Sequence, residues 1–219
     1  MNWDSLHSEL TQLRKELHKH PELSGEESDT AGRIVEYAKR YDPDEIITSL
    51  GGNGVAIVFN GEEKGKTILI RCDLDALPIE EENDFDHKSI EKNVSHKCGH
   101  DGHMAIVSGL IPLLAENKIK KGKVVLLYQP AEEIGQGAEW VINDDKFKEL
   151  IPDYAFALHN LPKFNTGQVV VREKGFAAAS KGLIVRLKGK TAHAGHPERG
   201  ITPSPAVAEL IQQLTSIKR

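Results

Sequence analysis

Thr67-Ile68-Leu69-Ile70-Arg71-Cys72-Asp73-Leu74-Asp75 begins as a β-rich apolar run and ends in two carboxylates. The same pattern recurs twice downstream. Residues 124–128 lead through Gln129-Pro130-Ala131 into Glu132-Glu133, and residues 154–158 lead directly into His159. Strands that are nearly continuous in apolar residues, separated by helical segments, indicate an α/β fold with helices on both faces of the sheet. In open sheets of this kind the ligand crevice lies beyond the carboxyl ends of the strands, so the three polar clusters are expected to converge there.

Working outward, Trp3, Leu6, Leu10, Leu13 and Leu17 recur at helical spacing over residues 2–19, and Pro21 stops that helix. Ser24 with Glu27 reads as a capping box that opens a second helix through about Tyr41. Residues 54–59 and 67–72 read as neighbouring strands joined by the polar turn at 60–66. A helix is expected to start near Asp101 and a short one to span 137–143. After Phe176 the texture changes. A domain boundary is expected near Ala179 to Gly182, followed by an alternating strand at 183–187, a Gly/His/Pro-rich loop and a helix over 204–217.

The 219 residues carry 28 Lys and Arg against 33 Asp and Glu, a formal charge of −5, so no basic excess exists to neutralise a phosphate backbone and nucleic acid is excluded as a partner. The longest apolar runs fall far short of the roughly 20 residues of a membrane span. The first residues show no secretory pattern, and with only Cys72 and Cys98 no disulfide framework is available; a soluble, cytoplasmic protein is expected.

The chemistry concentrates in Cys98-Gly99-His100-Asp101-Gly102-His103 and in the strand-end clusters. Thiolate, imidazole and carboxylate are the donors of Zn²⁺ and similar ions. Residues two apart in extended chain point the same way, so Cys98 and His100 can share a site, whereas His103 on the following helix can turn elsewhere. Adjacent Glu132 and Glu133 suit a division in which one carboxylate binds metal and the other takes a proton from water. Each signal also has an ordinary structural counterpart. Glu-Glu pairs recur at 26–27, 62–63 and 81–82, Asp73 and Asp75 could cap a turn, and His159 could be a hydrogen-bonded core imidazole. His7, His18, His87 and His96 are assigned to packing and solvent.

Six ordered segments, at residues 13–27, 71–78, 97–105 (KCGHDGHMA), 128–138 (YQPAEEIGQGA), 157–162 and 189–203, resemble the dinuclear-metal aminoacylase and carboxypeptidase family, in its N-acyl-amino-acid amidohydrolase branch. The resemblance implies a zinc-exopeptidase-like catalytic domain with a mixed sheet at 1–179. It also implies the start of a ferredoxin-like lid and dimerisation domain at 180–219. Cys98, His100, Glu133 and His159 would ligate metal, and Glu132 would be the general base. Asp75 would orient a ligand without binding metal, and His193 in the lid would reach across a homodimer interface to the oxyanion. Two divalent ions are implied, Mn²⁺ or Zn²⁺ first, with Co²⁺ or Ni²⁺ also compatible.

The reaction implied is hydrolysis of a small N-acyl amino acid at its amide bond. By the same resemblance the chain stops inside the lid, before the family's last metal-binding His, so a fragment with weak or no turnover is expected. The rival readings are a metal- or substrate-binding remnant and a hydrolase using Cys98 as nucleophile.

Overall fold

The computed structural model describes residues 2–175 and 182–217. The chain divides into two compact units, Met1–Phe164 and Asn165–Arg219. The expected boundary at 179–180 lies outside the described residues.

The first unit is built on a five-stranded mixed sheet. Strands β1 (Glu45–Leu50), β2 (Gly54–Asn60), β3 (Glu63–Asp73), β4 (Lys121–Gln129) and β5 (Tyr154–Ala157) lie in the order β1-β2-β4-β3-β5. This corrects one expectation: β2 and β3 are consecutive in the chain but are not neighbours, because β4 inserts between them. β2 pairs antiparallel with β4, while β3 runs parallel to both β4 and β5. The polar segment after β2 therefore crosses the start of β4 instead of making a hairpin, with Glu62 N–H donating to Ile119 O and Gly61 N–H to Gly122 O. Gly122 permits the crossing, since its φ is +94° and a Cβ there would lie 2.3 Å from Lys66 O. β1 was not expected from the sequence; Thr48 and Ser49 interrupt its apolar character, and its pairing with β2 makes it a strand.

Period-two alternation divides the sheet residues between two cores. On one face Val55, Ile57, Phe59, Leu126 and Tyr128 pack with Leu17, Ile34, Tyr37, Met104 and Ile111. Those partners come from helices α1 (Trp3–Lys19), α2 (Ser28–Lys39), α3 (His100–Ser108) and α4 (Leu110–Glu116). On the other, Ala56, Val58, Leu69, Val125 and Leu127 meet Val141 of α5 (Gly137–Asn143) and Leu150. The parallel register sets Asp73 beside Gln129 and Arg71 beside Ala157, so β3, β4 and β5 end along one edge.

The capping box is a second correction. Glu27 is the N-cap of α2, but its side chain makes no cap bond there, and Ser24 Oγ donates to Asp75 instead. Glu22 does the capping, its carboxylate accepting from the N–H groups of Asp29 and Thr30.

In the second unit the helix expected over 204–217 is present as α6 (Ser204–Thr215). The strand expected at 183–187 is absent: among the described residues these form no ladder, and Leu183 and Ile184 are exposed. Alternation alone does not make a strand when no partner offers the ladder bonds. The described bridge pairs Lys190 with Ile201.

Candidate metal centre

At the carboxyl edge of the sheet, β3 delivers Asp75, β4 delivers Glu132 and Glu133, and β5 delivers His159. The fourth contribution is the loop that enters α3 with Cys98 and His100. The ligand atoms of Cys98, His100 and His159 lie within 4.8 Å of one another, as do those of His100, Glu132 and Glu133, so His100 belongs to both trios.

Both imidazoles are held in the same sense. His100 Nδ1–H donates to the Asp75 backbone carbonyl at 2.8 Å and lies 3.4 Å from its Oδ1, while Nε2 is turned to Glu132 and Glu133 at 3.8 Å each. His159 Nδ1–H donates to Asn160 O at 2.8 Å, leaving Nε2 3.3 Å from Cys98 Sγ. Fixing one ring nitrogen as a donor to oxygen presents the lone pair of the other, the arrangement of metal-ligating histidines. Among the described residues, His100 Nε2 and Glu133 Oε1 are buried without a hydrogen-bond partner, which is costly unless a further group satisfies them. A divalent cation fits these orphaned donors and this thiol, imidazole and carboxylate set.

The turn after β4 aims the two glutamates. Ala131 has φ +50°, a left-handed conformation costing a non-glycine residue roughly 1–2 kcal/mol. Its N–H donates to the buried Glu27 carboxylate at 2.8 Å. The next turn is pinned by Glu133 N–H donating to Asp75 Oδ2 at 2.9 Å, and Ser24 Oγ–H reaches the same oxygen at 2.6 Å. Burial alone would raise the Asp75 carboxyl, but its bonds with His100, Ser24 and Glu133 outweigh that and hold it below its ordinary range. Asp73 is instead paired with Arg71.

Cys98 does not have the surroundings of a nucleophile. Burial, together with Glu133, Glu132 and Asp73, pushes its thiol up to about 12, whereas nucleophilic cysteines sit in electropositive sites that lower it. His103 lies outside both trios. Its Nε2 lies 2.6 Å from Asn160 Oδ1 and 3.0 Å from the Asn160 backbone nitrogen, so His103 steadies the chain beside His159. Glu27, Ser24 and Asn160 support the site with no local signal for that role, since Ser24 and Glu27 read in the sequence as a helix cap. His193, in the second unit, is exposed and accepts from Gly195 N–H through Nδ1 at 3.1 Å.

Gly99 joins Cys98 to His100 at φ +95°, and a Cβ there would lie 2.7 Å from Asn160 Oδ1. Gly99→Ala is expected to lower stability by about 1–2 kcal/mol and to weaken Zn²⁺ binding about tenfold, because Asn160 holds His159. Urea unfolding and metal titration check this; wild-type values in both would refute it.

Residues 69–217 match the model of peptidase family M20/M25/M40. The chain belongs to this family. Among M20 relatives, it is 35% identical over 210 residues to N-acetyldiaminopimelate deacetylase of Priestia megaterium, covering 96% of this chain and 56% of that one. It is 38% identical over 218 residues to N-acetyl-L-cysteine deacetylase of Bacillus subtilis, covering 99% and 52%. The crystal structure of the Bacillus subtilis YxeP protein, a dinuclear metal binding peptidase from the M20 family, aligns with a TM-score of 0.69 at 35% identity, over 74% of this chain and 45% of that one. The chain thus spans about half the length of the curated M20 relatives it matches. No helix among the described residues is long and apolar enough to cross a membrane.

Proposed function

We infer that this chain carries the metal-binding half of the active site of a hydrolase that cleaves the amide bond of small N-acyl amino acids. The observation that carries the reading is the pair of imidazoles whose Nδ1 atoms are tied to carbonyls and whose Nε2 atoms face a thiol and two carboxylates. The deacetylase names of the M20 relatives supply the substrate class.

Cys98, His100, Glu133 and His159 would hold two divalent cations, Mn²⁺ or Zn²⁺. When bound, the cations supply Lewis acidity, polarising the amide carbonyl and making a water easier to deprotonate. The protein's own part divides between the glutamates. Glu133 is the more buried, at 16% side-chain exposure, with its backbone N–H fixed on Asp75, which suits a ligand. Glu132, at 38%, is open to water and substrate, which suits a general base. Glu132 takes a proton from the attacking water as the new C–O bond forms. It returns that proton to the amide nitrogen as the C–N electron pair leaves with the amine, giving a carboxylic acid and a free amino acid. His193 would stabilise the oxyanion from a lid begun at residues 180–219 and paired in a homodimer, with the catalytic segment at 1–179.

The test is release of free amine from N-acetyl and N-benzoyl amino acids. Chelation is expected to abolish it, and Mn²⁺ or Zn²⁺ to restore it. Activity that survives chelation but not thiol alkylation would overturn the reading in favour of a Cys98 nucleophile, and a chain that binds no divalent cation would overturn the metal-binding half itself.

A further inference from the structure

We propose that His18 is a positioning residue that clamps both ends of the Lys97–Asp101 segment, and thereby sets the distance between Cys98 and His100; this rests on the metal-site reading above. His18 lies on α1, 4% exposed, outside the cluster of metal donors. Its two ring nitrogens face two carboxylates: Nδ1 lies 2.8 Å from Asp101 Oδ2 and Nε2 lies 3.1 Å from Glu81 Oε2. Those carboxylates grip the two flanks of the same short segment. Asp101 directly follows His100 and also receives Arg14 Nε at 2.7 Å. Glu81 receives Lys97 Nζ at 2.6 Å, and Lys97 directly precedes Cys98.

The path Lys97–Glu81–His18–Asp101 therefore closes a ring across the backbone that carries both donors. The backbone within that ring includes Gly99, whose lack of a side chain leaves the Cys98 end freer than the His100 end, which is already in α3. The start of α3 is held locally, Gly99 O accepting from the N–H groups of Gly102 and His103, and the ring ties the stretch before the helix, Lys97 and Cys98, to Asp101 in the first helical turn. The bonds are charge-assisted and buried at the carboxylate end, where side-chain exposure is 2% for Glu81 and 1% for Asp101, so they are the stronger kind. Glu81 is further fixed by Ser89 N–H at 2.7 Å and Asn83 at 2.9 Å, so the ring is anchored and does not drift with Lys97.

The test uses Co²⁺ as the probe, read as its dissociation constant by chelator competition and as the near-ultraviolet thiolate-to-cobalt band that reports Cys98. His18→Ala is expected to weaken Co²⁺ binding about tenfold, within the range for outer residues that orient metal ligands. His18→Gln, which keeps one donor, should recover part of it. Lys97→Met and Arg14→Met cut one arm each at partly exposed side chains and guard against a His18 variant that fails to fold. Lys97→Met should reduce the thiolate band more than Arg14→Met does. Thermal midpoints of the metal-free proteins separate this from a purely structural role, which would lower the midpoint and leave Co²⁺ affinity unchanged well below it. Wild-type affinity in both His18→Ala and Lys97→Met, with Cys98→Ser losing it, overturns the clamp alone. Wild-type protein that binds no Co²⁺, or Cys98→Ser that binds it equally, overturns the metal-site reading instead.

Discussion

Glu132→Gln is expected to lower kcat for N-acyl amino acid hydrolysis by about 10²–10⁴-fold, the usual worth of a positioned general base, while changing metal affinity little. Glutamine keeps the length and shape of the side chain but cannot accept and return a proton. Glu132 is also the more exposed of the pair, so the substitution leaves no buried charge unpaired. Glu133→Gln should behave differently. Among the described residues its Oε1 is a buried atom without a partner, and an amide there is a weaker donor to a cation, so metal affinity should fall together with turnover. Steady-state kinetics and metal titration on both variants decide the assignment. Equal rates for wild type and Glu132→Gln, or loss of metal by Glu132→Gln alone, would reverse it.

Asp75→Ala is expected to reduce metal affinity by about 10–100-fold, the range for residues that hold metal ligands in place. Its carboxylate accepts from Ser24 and from the backbone of Glu133, and its Oδ1 lies near His100. Removing it leaves the part-buried Glu133 N–H without its acceptor, at a cost below the roughly 1–3 kcal/mol of a fully buried donor. It also frees the turn that carries Glu133. Asp75→Asn should fall between, since whichever way the amide turns, its NH₂ meets one arm that needs an acceptor. Chelator competition gives the affinity and urea unfolding the stability. An affinity within twofold of wild type would show that the backbone carbonyl of Asp75 alone orients His100.

How much of this was legible in advance depends on how far apart the interacting residues lie. The three apolar runs ending in Asp75, Glu132-Glu133 and His159 were readable as strand ends, because the period and the polar break are local. Their meeting at one edge followed from the parallel register of β3, β4 and β5. The Ser24–Glu27 pattern was misread because it is locally a good cap, while the acceptor for Ser24 lies 51 residues on and the donor for Glu27 lies 104 residues on. The ion pair of His18 is equally invisible locally, its partner Asp101 being 83 residues away.

From its sequence alone the chain declared its donor chemistry, its helices at 2–19 and 137–143, and the apolar runs that became β2 to β5. Periodicity and ligand type are properties of neighbouring residues, and neighbours are what a sequence records. Only the tertiary structure decided that β4 lies between β2 and β3, which nitrogen of His100 and His159 faces the carboxylates and thiol, and which acids steady the loop between Lys97 and Asp101. Those choices depend on which buried polar groups find partners once distant segments are packed together, and burial makes an unpartnered group too costly to leave.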